Sequence, residues 1–281
     1  MKVFLQEFVR ILKKHKLFTA GLIIILISIF LALFGTLIIP FNPMASIPGD
    51  SVLLPPSSTH FFGTDRSGMD VFSRVIAAYK IDLTIGMIAT LIAWIIGTPM
   101  GVITGFFKGP WVDVILRIAD IIQSFPAMVL GMAMVAISGQ NITNVIWVMA
   151  VIYSPIYLRL VRSQTVGLRD SQFVLAARAS GNTEFRIAMR HLLPNTMSIA
   201  IVQASVNIGA TILLTSGLSF IGAGVRVPIP EWGSMISIGA PNIMTGEWWP
   251  AVFPGIFLTI TVLGFAMFGT ELRYIIDPTR R

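Results

Sequence analysis

Residues 121–158 read IIQSFPAMVLGMAMVAISGQNITNVIWVMAVIYSPIYL, and no charged side chain interrupts them. A helix needs about 20 apolar residues to cross a hydrocarbon core about 30 Å thick, because each residue advances it by roughly 1.5 Å. The stretch is too long for one crossing and long enough for two. Its break is Ser138-Gly139-Gln140-Asn141, a cluster of turn-forming residues.

Four more uncharged runs flank it: Leu17 to Gly49, Leu83 to Phe107, Leu192 to Val225 and Trp248 to Thr270. Together they predict an all-α integral membrane protein with about six spans, near residues 18–39, 83–106, 114–137, 142–160, 196–218 and 249–270. Composition agrees. The 281 residues are 55% hydrophobic and 12% charged, where a soluble domain carries roughly 25% charged residues. The mean hydropathy is +0.82. Such a chain lacks the polar groups to cover a water-facing surface. The first run exceeds the usual apolar core of a signal peptide and has no small-residue cleavage pattern, so it reads as a retained helix. Absence of cysteine excludes disulfides and thiolate chemistry and leaves the redox compartment open.

The net charge of +7 reads as charge sorting across a membrane rather than as a nucleic-acid surface, since cytoplasmic loops collect Lys and Arg. With the N-terminus inside, the inner segments carry Lys2, Arg10, Lys13, Lys14 and Lys16, then Lys108 and Arg117. They also carry the six arginines from Arg159 to Arg190, and Arg273, Arg280 and Arg281. Only Arg66, Arg74, Lys80 and Arg226 fall outside. Both termini are therefore expected in the cytoplasm. Residues 40–82 and 219–248 form the outer loops, and 161–195 the longest inner loop. Within residues 1–17, Val3, Phe4, Phe8, Ile11 and Leu12 lie roughly on one helical face. That pattern suits an interfacial amphipathic helix, with a frayed cationic tail as the alternative. Residues 18–281 would be the transmembrane domain.

In the inner loop, residues 171–180 are rich in helix formers and end at Gly181, suited to a left-handed cap. Thr183 can cap a second short helix that stops before Pro194. Two short helices mixing Ala, Phe and Arg on the cytosolic side can form a docking knob or an ordinary solvated hairpin.

This segment resembles the cytoplasmic loop of binding-protein-dependent ABC importer permeases, whose pattern is Glu-Ala-Ala, three residues, Gly, and Leu-Pro about a dozen residues later. Ala176, Ala177, Gly181, Leu193 and Pro194 match it, while Leu175 stands where the family usually has glutamate. The resemblance implies an ATPase-coupling loop comprising Leu175, Ala176, Ala177, Arg178, Gly181, Glu184, Arg190, Leu193 and Pro194. The run His60 to Arg74 is similar to the His-x-Phe-Gly-Thr-Asp-x-x-Gly-x-Asp-x-x-Ser-Arg signature of the second permease of dipeptide, oligopeptide and nickel importers. Arg117, Asp120, Phe125 and Pro126, the outer stretch Leu218–Val225 with Pro228, Pro230, Trp232 and Gly233, and the segments Trp249, Phe253–Gly255, Leu272-Arg273 and Asp277-Pro278 match the same family in order. Thr215 is a second departure from a usual glutamate.

The resemblance implies a type I ABC importer permease fold in the cytoplasmic membrane. It implies a heterodimer with a second homologous permease, two ATP-binding subunits that hold ATP and Mg, an extracytoplasmic substrate-binding protein, and no cofactor on this chain. Peptide is the first-choice substrate, and nickel or a metal-chelator complex the alternative.

Read physically, Gly63, Thr64, Asp65 and Gly68 favour a rigid turn. Asp65, Asp70 and Arg74 are candidates for a salt-bridged outer gate or for structural pairing. Arg117 and Asp120 share one helical face at the start of the third span and suit an ion pair. Trp232, Trp248 and Trp249 suit the outer lipid interface. Gly97, Gly101 and Gly105 permit close helix packing, at a dimer interface or a pathway wall. No G-x-x-x-x-G-K-[ST] loop occurs, so ATP must be hydrolysed elsewhere. A proton-coupled secondary transporter would place ionisable residues in mid-membrane. A membrane enzyme would need a nucleophile–base set or a metal motif, yet His15, His60 and His191 are scattered and Asp65 with Asp70 has no third ligand.

Overall fold

The computed structural model describes residues 10–47 and 52–276. Most of the expected amphipathic face (Val3, Phe4 and Phe8), Arg280, Arg281 and the Asp277-Pro278 pair lie outside the described residues. Of that N-terminal segment, residues 10–14 are helical.

Among the described residues, five helices are long and apolar enough to span a bilayer: α1 (Lys16–Phe34, continued by a 3-10 turn Gly35–Leu37), α2 (Val71–Phe106), α5 (Ile142–Leu168), α8 (Leu193–Phe220) and α10 (Trp249–Ile276). Among the same residues, the bent pair α3 (Pro110–Ser124) and α4 (Ala127–Ser138) is the candidate for a sixth crossing. Helix α2 starts at Asp70, whose side chain accepts from the Ser73 N–H at 2.8 Å, satisfying one of the orphan donors of a first turn. Its 36 residues extend roughly 54 Å, well beyond a bilayer core, so its first turns stand clear on the outer side.

The expected single span at 114–137 is corrected. Helices α3 and α4 meet at 97°. Pro126 has no N–H to continue α3 and forces Phe125 into an extended conformation, φ −88° and ψ 142°. The inner end also differs from expectation. Helix α5, capped by Asn141 onto the Asn144 N–H at 2.8 Å, runs past residue 160 to Leu168, so the inner loop is shorter than 161–195.

After α6 (Gln172–Ala179), Gly181 adopts φ +78°, and Thr183 caps α7 (Glu184–Ile187). Helix α7 does not stop there. A π-turn over Ala188–Leu192 carries it into α8, with Pro194 in the first turn where its missing N–H is no loss.

Helix α2 is the central element, packed on α5 along one side and on α8 along another. The α2–α5 seam is the glycine stripe. A Cβ at Gly101 would stand 2.7 Å from the Leu158 carbonyl oxygen, and one at Gly105 2.7 Å from Thr165 Cβ. A Cβ at Gly97 would come closer still to the Ser154 carbonyl. The stripe therefore serves packing within this chain. Helix α10 lies between α1 and α8, and Phe18 stacks on Phe268 at 4.9 Å.

Candidate functional site

The inner knob is built from the loop outward. Helix α6 buries Val174 and Ala177 against a cluster that includes Val102, Phe106, Ile187 and Leu192. Its opposite face leaves Phe173 38% and Leu175 52% exposed, and Phe185 of α7 is 62% exposed. The knob is held by Arg178, whose Nε and Nη2 donate to the two Glu184 oxygens at 2.8 and 3.0 Å. The Arg178 guanidinium also lies 5.5 Å from the Phe106 ring centre, tying the knob to the inner end of α2. Asn182 Nδ2 donates to the Ala177 carbonyl at 3.1 Å. Arg178, Gly181 and Glu184 thus form one structural unit with Ala177. Leu175 and Ala176 lie on the exposed face of α6, while Leu193 and Pro194 open α8.

On the outer side, Gly63 and Gly68 take φ +72° and +69°. Between them Asp65 accepts from the Ser67 and Met69 N–H groups at 2.8 and 3.0 Å, and Thr64 Oγ1 accepts from the Leu54 N–H at 2.8 Å. Trp249 Nε1 donates to the Thr64 carbonyl at 3.1 Å, fixing the turn to α10. Arg74 is buried. It donates to the carbonyls of Pro43 and Pro228 at 2.7 and 3.1 Å, and its Nε is 3.7 Å from Asp65. The expected trio divides. Asp65 pairs with Arg74, whereas Asp70 is the α2 cap and pairs with His60 Nδ1 at 2.9 Å. His60, read from sequence as scattered, is a working member of this turn.

Two other expectations are corrected. Asp120 pairs with Arg159 of α5 at 2.6 Å, and among the described residues no ion pair joins it to Arg117. Helix α5 packs against α3 and supplies Arg159 as the partner in place of the residue three positions away. Trp232 is fully buried, and Trp249 nearly so; of the three tryptophans expected at the lipid interface, Trp248 alone is exposed. Trp232 instead donates Nε1 to the Val75 carbonyl at 3.1 Å and meets the Tyr79 ring edge-on at 4.7 Å. Thr215, at the position of a usual glutamate, is buried.

One buried pair lies outside the residues expected from sequence. Asp82, just ahead of the predicted second span, and Glu231, at the start of the short outer helix α9 (Trp232–Gly239), are both fully buried and face each other. Glu231 caps α9, accepting from the Gly233 and Ser234 N–H groups at 3.0 and 2.8 Å. Burial pushes the Glu231 carboxyl above the ordinary carboxylate range, while those two N–H groups pull the other way. The one available signal was Asp82 itself, a lone acid one residue outside an uncharged run.

Five long apolar helices and one bent apolar pair, with a hydrogen-bonded outer cap and an exposed apolar knob on the basic side, suit a membrane transport subunit. Residues 97–281 match the model of the binding-protein-dependent transport system inner membrane component family, and residues 4–56 match the N-terminal TM domain of oligopeptide transport permease C. The chain belongs to the family of binding-protein-dependent transport system inner membrane components: it is a multi-pass permease subunit of an ABC importer, not an enzyme, and ATP is hydrolysed by separate subunits.

Among its relatives, the chain is 39% identical over 97% of its length, and 89% of the relative's, to the dipeptide transport system permease protein DppC of Alkalihalophilus pseudofirmus. It is 36% identical, over 97% of itself and 91% of the relative, to the probable D,D-dipeptide transport system permease protein DdpC of Escherichia coli. To the glutathione transport system permease protein GsiD of Pectobacterium atrosepticum it is 34% identical, over 96% and 89%. A chain of the inward-facing MetNI methionine ABC transporter superposes with a TM-score of 0.58 at 18% identity, covering 73% of this chain and 96% of that one. That likeness speaks to the fold alone.

Proposed function

We propose that this chain is one of two non-identical permease subunits that enclose a pathway for peptides, with the knob of α6 and α7 seated on an ATP-binding subunit. The observation that carries the reading is the exposed apolar face of Phe173, Leu175 and Phe185, presented on the inner side by a frame tied at Arg178–Glu184. An apolar face of this kind gains free energy by burial against a protein partner. ATP and Mg belong to two such partners, and an extracytoplasmic binding protein delivers substrate to the outer loops. Leu175 in place of a glutamate makes the contact at that position apolar.

The peptide assignment rests on relatives named for dipeptide, D,D-dipeptide and glutathione transport, which favours it over nickel. In this reading the domain runs from residue 18 to 281, residues 1–17 lie at the inner interface, and the outer turn around Asp65 is a structural clasp.

The experiment is purification of the tagged chain in mild detergent with identification of the proteins that accompany it, followed by reconstitution with its binding protein. A second six-span permease, ATPase subunits and ATP-dependent uptake of a radiolabelled dipeptide or tripeptide are expected. Recovery of the folded chain alone refutes the assembly, and uptake of nickel without peptide refutes the substrate.

A further inference from the structure

Asp82 and Glu231 are two fully buried carboxyls that face each other, and among the described residues no cation lies beside them. On α2, Arg74 is turned to Asp65, Lys80 is exposed, and the buried Tyr79, whose ring meets Trp232, turns its hydroxyl to Thr261 and Ser28. The stretches of α1, α8 and α10 packed around the pair bring no ionisable side chain to it: α8 has none, and those of α1 and α10 lie at their inner ends. The two acids differ in their partners. Both Glu231 oxygens accept N–H groups from the first turn of α9, an arrangement that favours the ionised form. Asp82 Oδ2 accepts from the Trp232 N–H at 3.2 Å, and Oδ1, though buried, has no donor among the described residues. As a carboxylate, that oxygen would carry charge with nothing to meet it, against a second negative charge. As an acid, the same oxygen becomes a donor whose acceptor, Glu231, is already in place.

We propose that Asp82 and Glu231 form a buried proton-binding site, in which the Asp82 carboxylic acid donates from Oδ1 to the ionised Glu231 and fastens the outer helix α9 to α2. The proton is the ligand of the site. It joins the same two elements that the buried Trp232 joins through Val75 and Tyr79, and α9 in turn leans on α8, where Gly233 lies against the Ser216 carbonyl. When the proton leaves, two carboxylates face each other in a water-poor site, and α9 is repelled from α2 at the end nearest the pair. The docking of α9 therefore weakens as the pH at the outer face rises. The sign follows from linkage. The docked form holds one proton that the opened form, with two solvated carboxylates of ordinary affinity, does not, so docking loses stability with pH until that proton dissociates.

The test uses the full chain in lipid nanodiscs with the subunits that co-purify with it. Hydrogen exchange over Trp232–Gly239, corrected for the intrinsic pH dependence of exchange, should show protection falling about tenfold per pH unit above about pH 5. In Asp82→Asn, an uncharged side chain with a built-in donor, the protection should be flat over the same range. Difference infrared spectra of chain carrying carbon-13-labelled aspartate carboxyls should show a protonated aspartate at neutral pH that disappears on alkalinisation. The labelled wild-type chain decides the matter even where the variant does not fold. No protonated aspartate at neutral pH, or the same pH slope in Asp82→Asn as in the wild type, overturns the proposal.

Discussion

Replacing Gly181 by alanine and by asparagine separates backbone conformation from bulk at the hinge of the inner knob. Gly181 adopts φ +78°, and a Cβ built there meets nothing within 4 Å. Alanine therefore clashes with no neighbour and loses only the left-handed conformation, about 1–2 kcal/mol. Asparagine visits that region with much less strain. A loss of 1–2 kcal/mol shifts the population of a correctly shaped knob by a factor of about 5–30. The Ala177 and Arg178 carbonyls, which accept from the Asn182 and Gly181 N–H groups at 3.2 and 2.9 Å, would open first. The assay is ATP-dependent uptake by the reconstituted importer at matched protein levels, alongside hydrogen exchange over residues 172–187. Alanine should lower both protection and coupled uptake, asparagine should largely preserve them, and tryptophan should fall at least as far as alanine. Equal behaviour of alanine and asparagine, or normal uptake by the tryptophan variant, would refute the reasoning.

Phe185→Asp is expected to leave the fold intact, because the ring is exposed, and to weaken retention of the ATPase subunits tenfold or more, from the roughly 1.5–3 kcal/mol that burying a phenylalanine contributes; co-purification stoichiometry measures it. Asp65→Ala removes the acceptor for two N–H groups and leaves the Arg74 guanidinium buried without its carboxylate. A loss of about 3 kcal/mol should appear as proteolytic sensitivity of residues 52–70, with the ATPase subunits still bound. Gly101→Leu forces a side chain against the Leu158 carbonyl and should destabilise the α2–α5 seam by about 1–3 kcal/mol, read as a lower thermal midpoint in detergent.

How much of this was readable in the chain depended on the range of the interaction. The spans are written in local hydropathy, and five of them stand close to where the uncharged runs place them. The kink at Phe125-Pro126 was also written locally, but both flanks are apolar, so hydropathy alone runs straight through it. Pro194 reads as a stop, yet a proline in the first turn of α8 lacks only an N–H that has no intrahelical partner there, and the π-turn before it keeps the axis unbroken. Asp120 with Arg117 is what helical spacing alone favours; the approach of α5 substitutes Arg159, 39 positions away. The glycines of the outer turn were legible because positive φ selects them. Its clasp, Trp249 onto Thr64 across 185 positions, and the Asp82–Glu231 pair depend on the finished packing of α2, α9 and α10, which no local pattern encodes.

The two ends of the molecule are mechanically unequal, and one helix joins them. Outside, buried hydrogen bonds from Arg74, Trp232 and Trp249 tie the loops to α2 and α10. Inside, the knob hangs on a glycine hinge and an exposed Arg178–Glu184 pair, and exposed pairs contribute little to stability. Helix α7, the π-turn and α8 form a continuous body from Glu184 to Phe220, whose outer part meets α9 where Ser216 touches Gly233. A push on the knob yields at Gly181 and travels along that body to α9, the element whose seat on α2 involves Asp82. The Gly181 series tests this linkage directly. If α7 and α8 move as one, Gly181→Ala changes exchange protection over Trp232–Gly239 as well as over residues 172–187. If protection changes at the inner end alone, the π-turn is a joint rather than a rod, and the outer helix answers to its proton without reference to the knob.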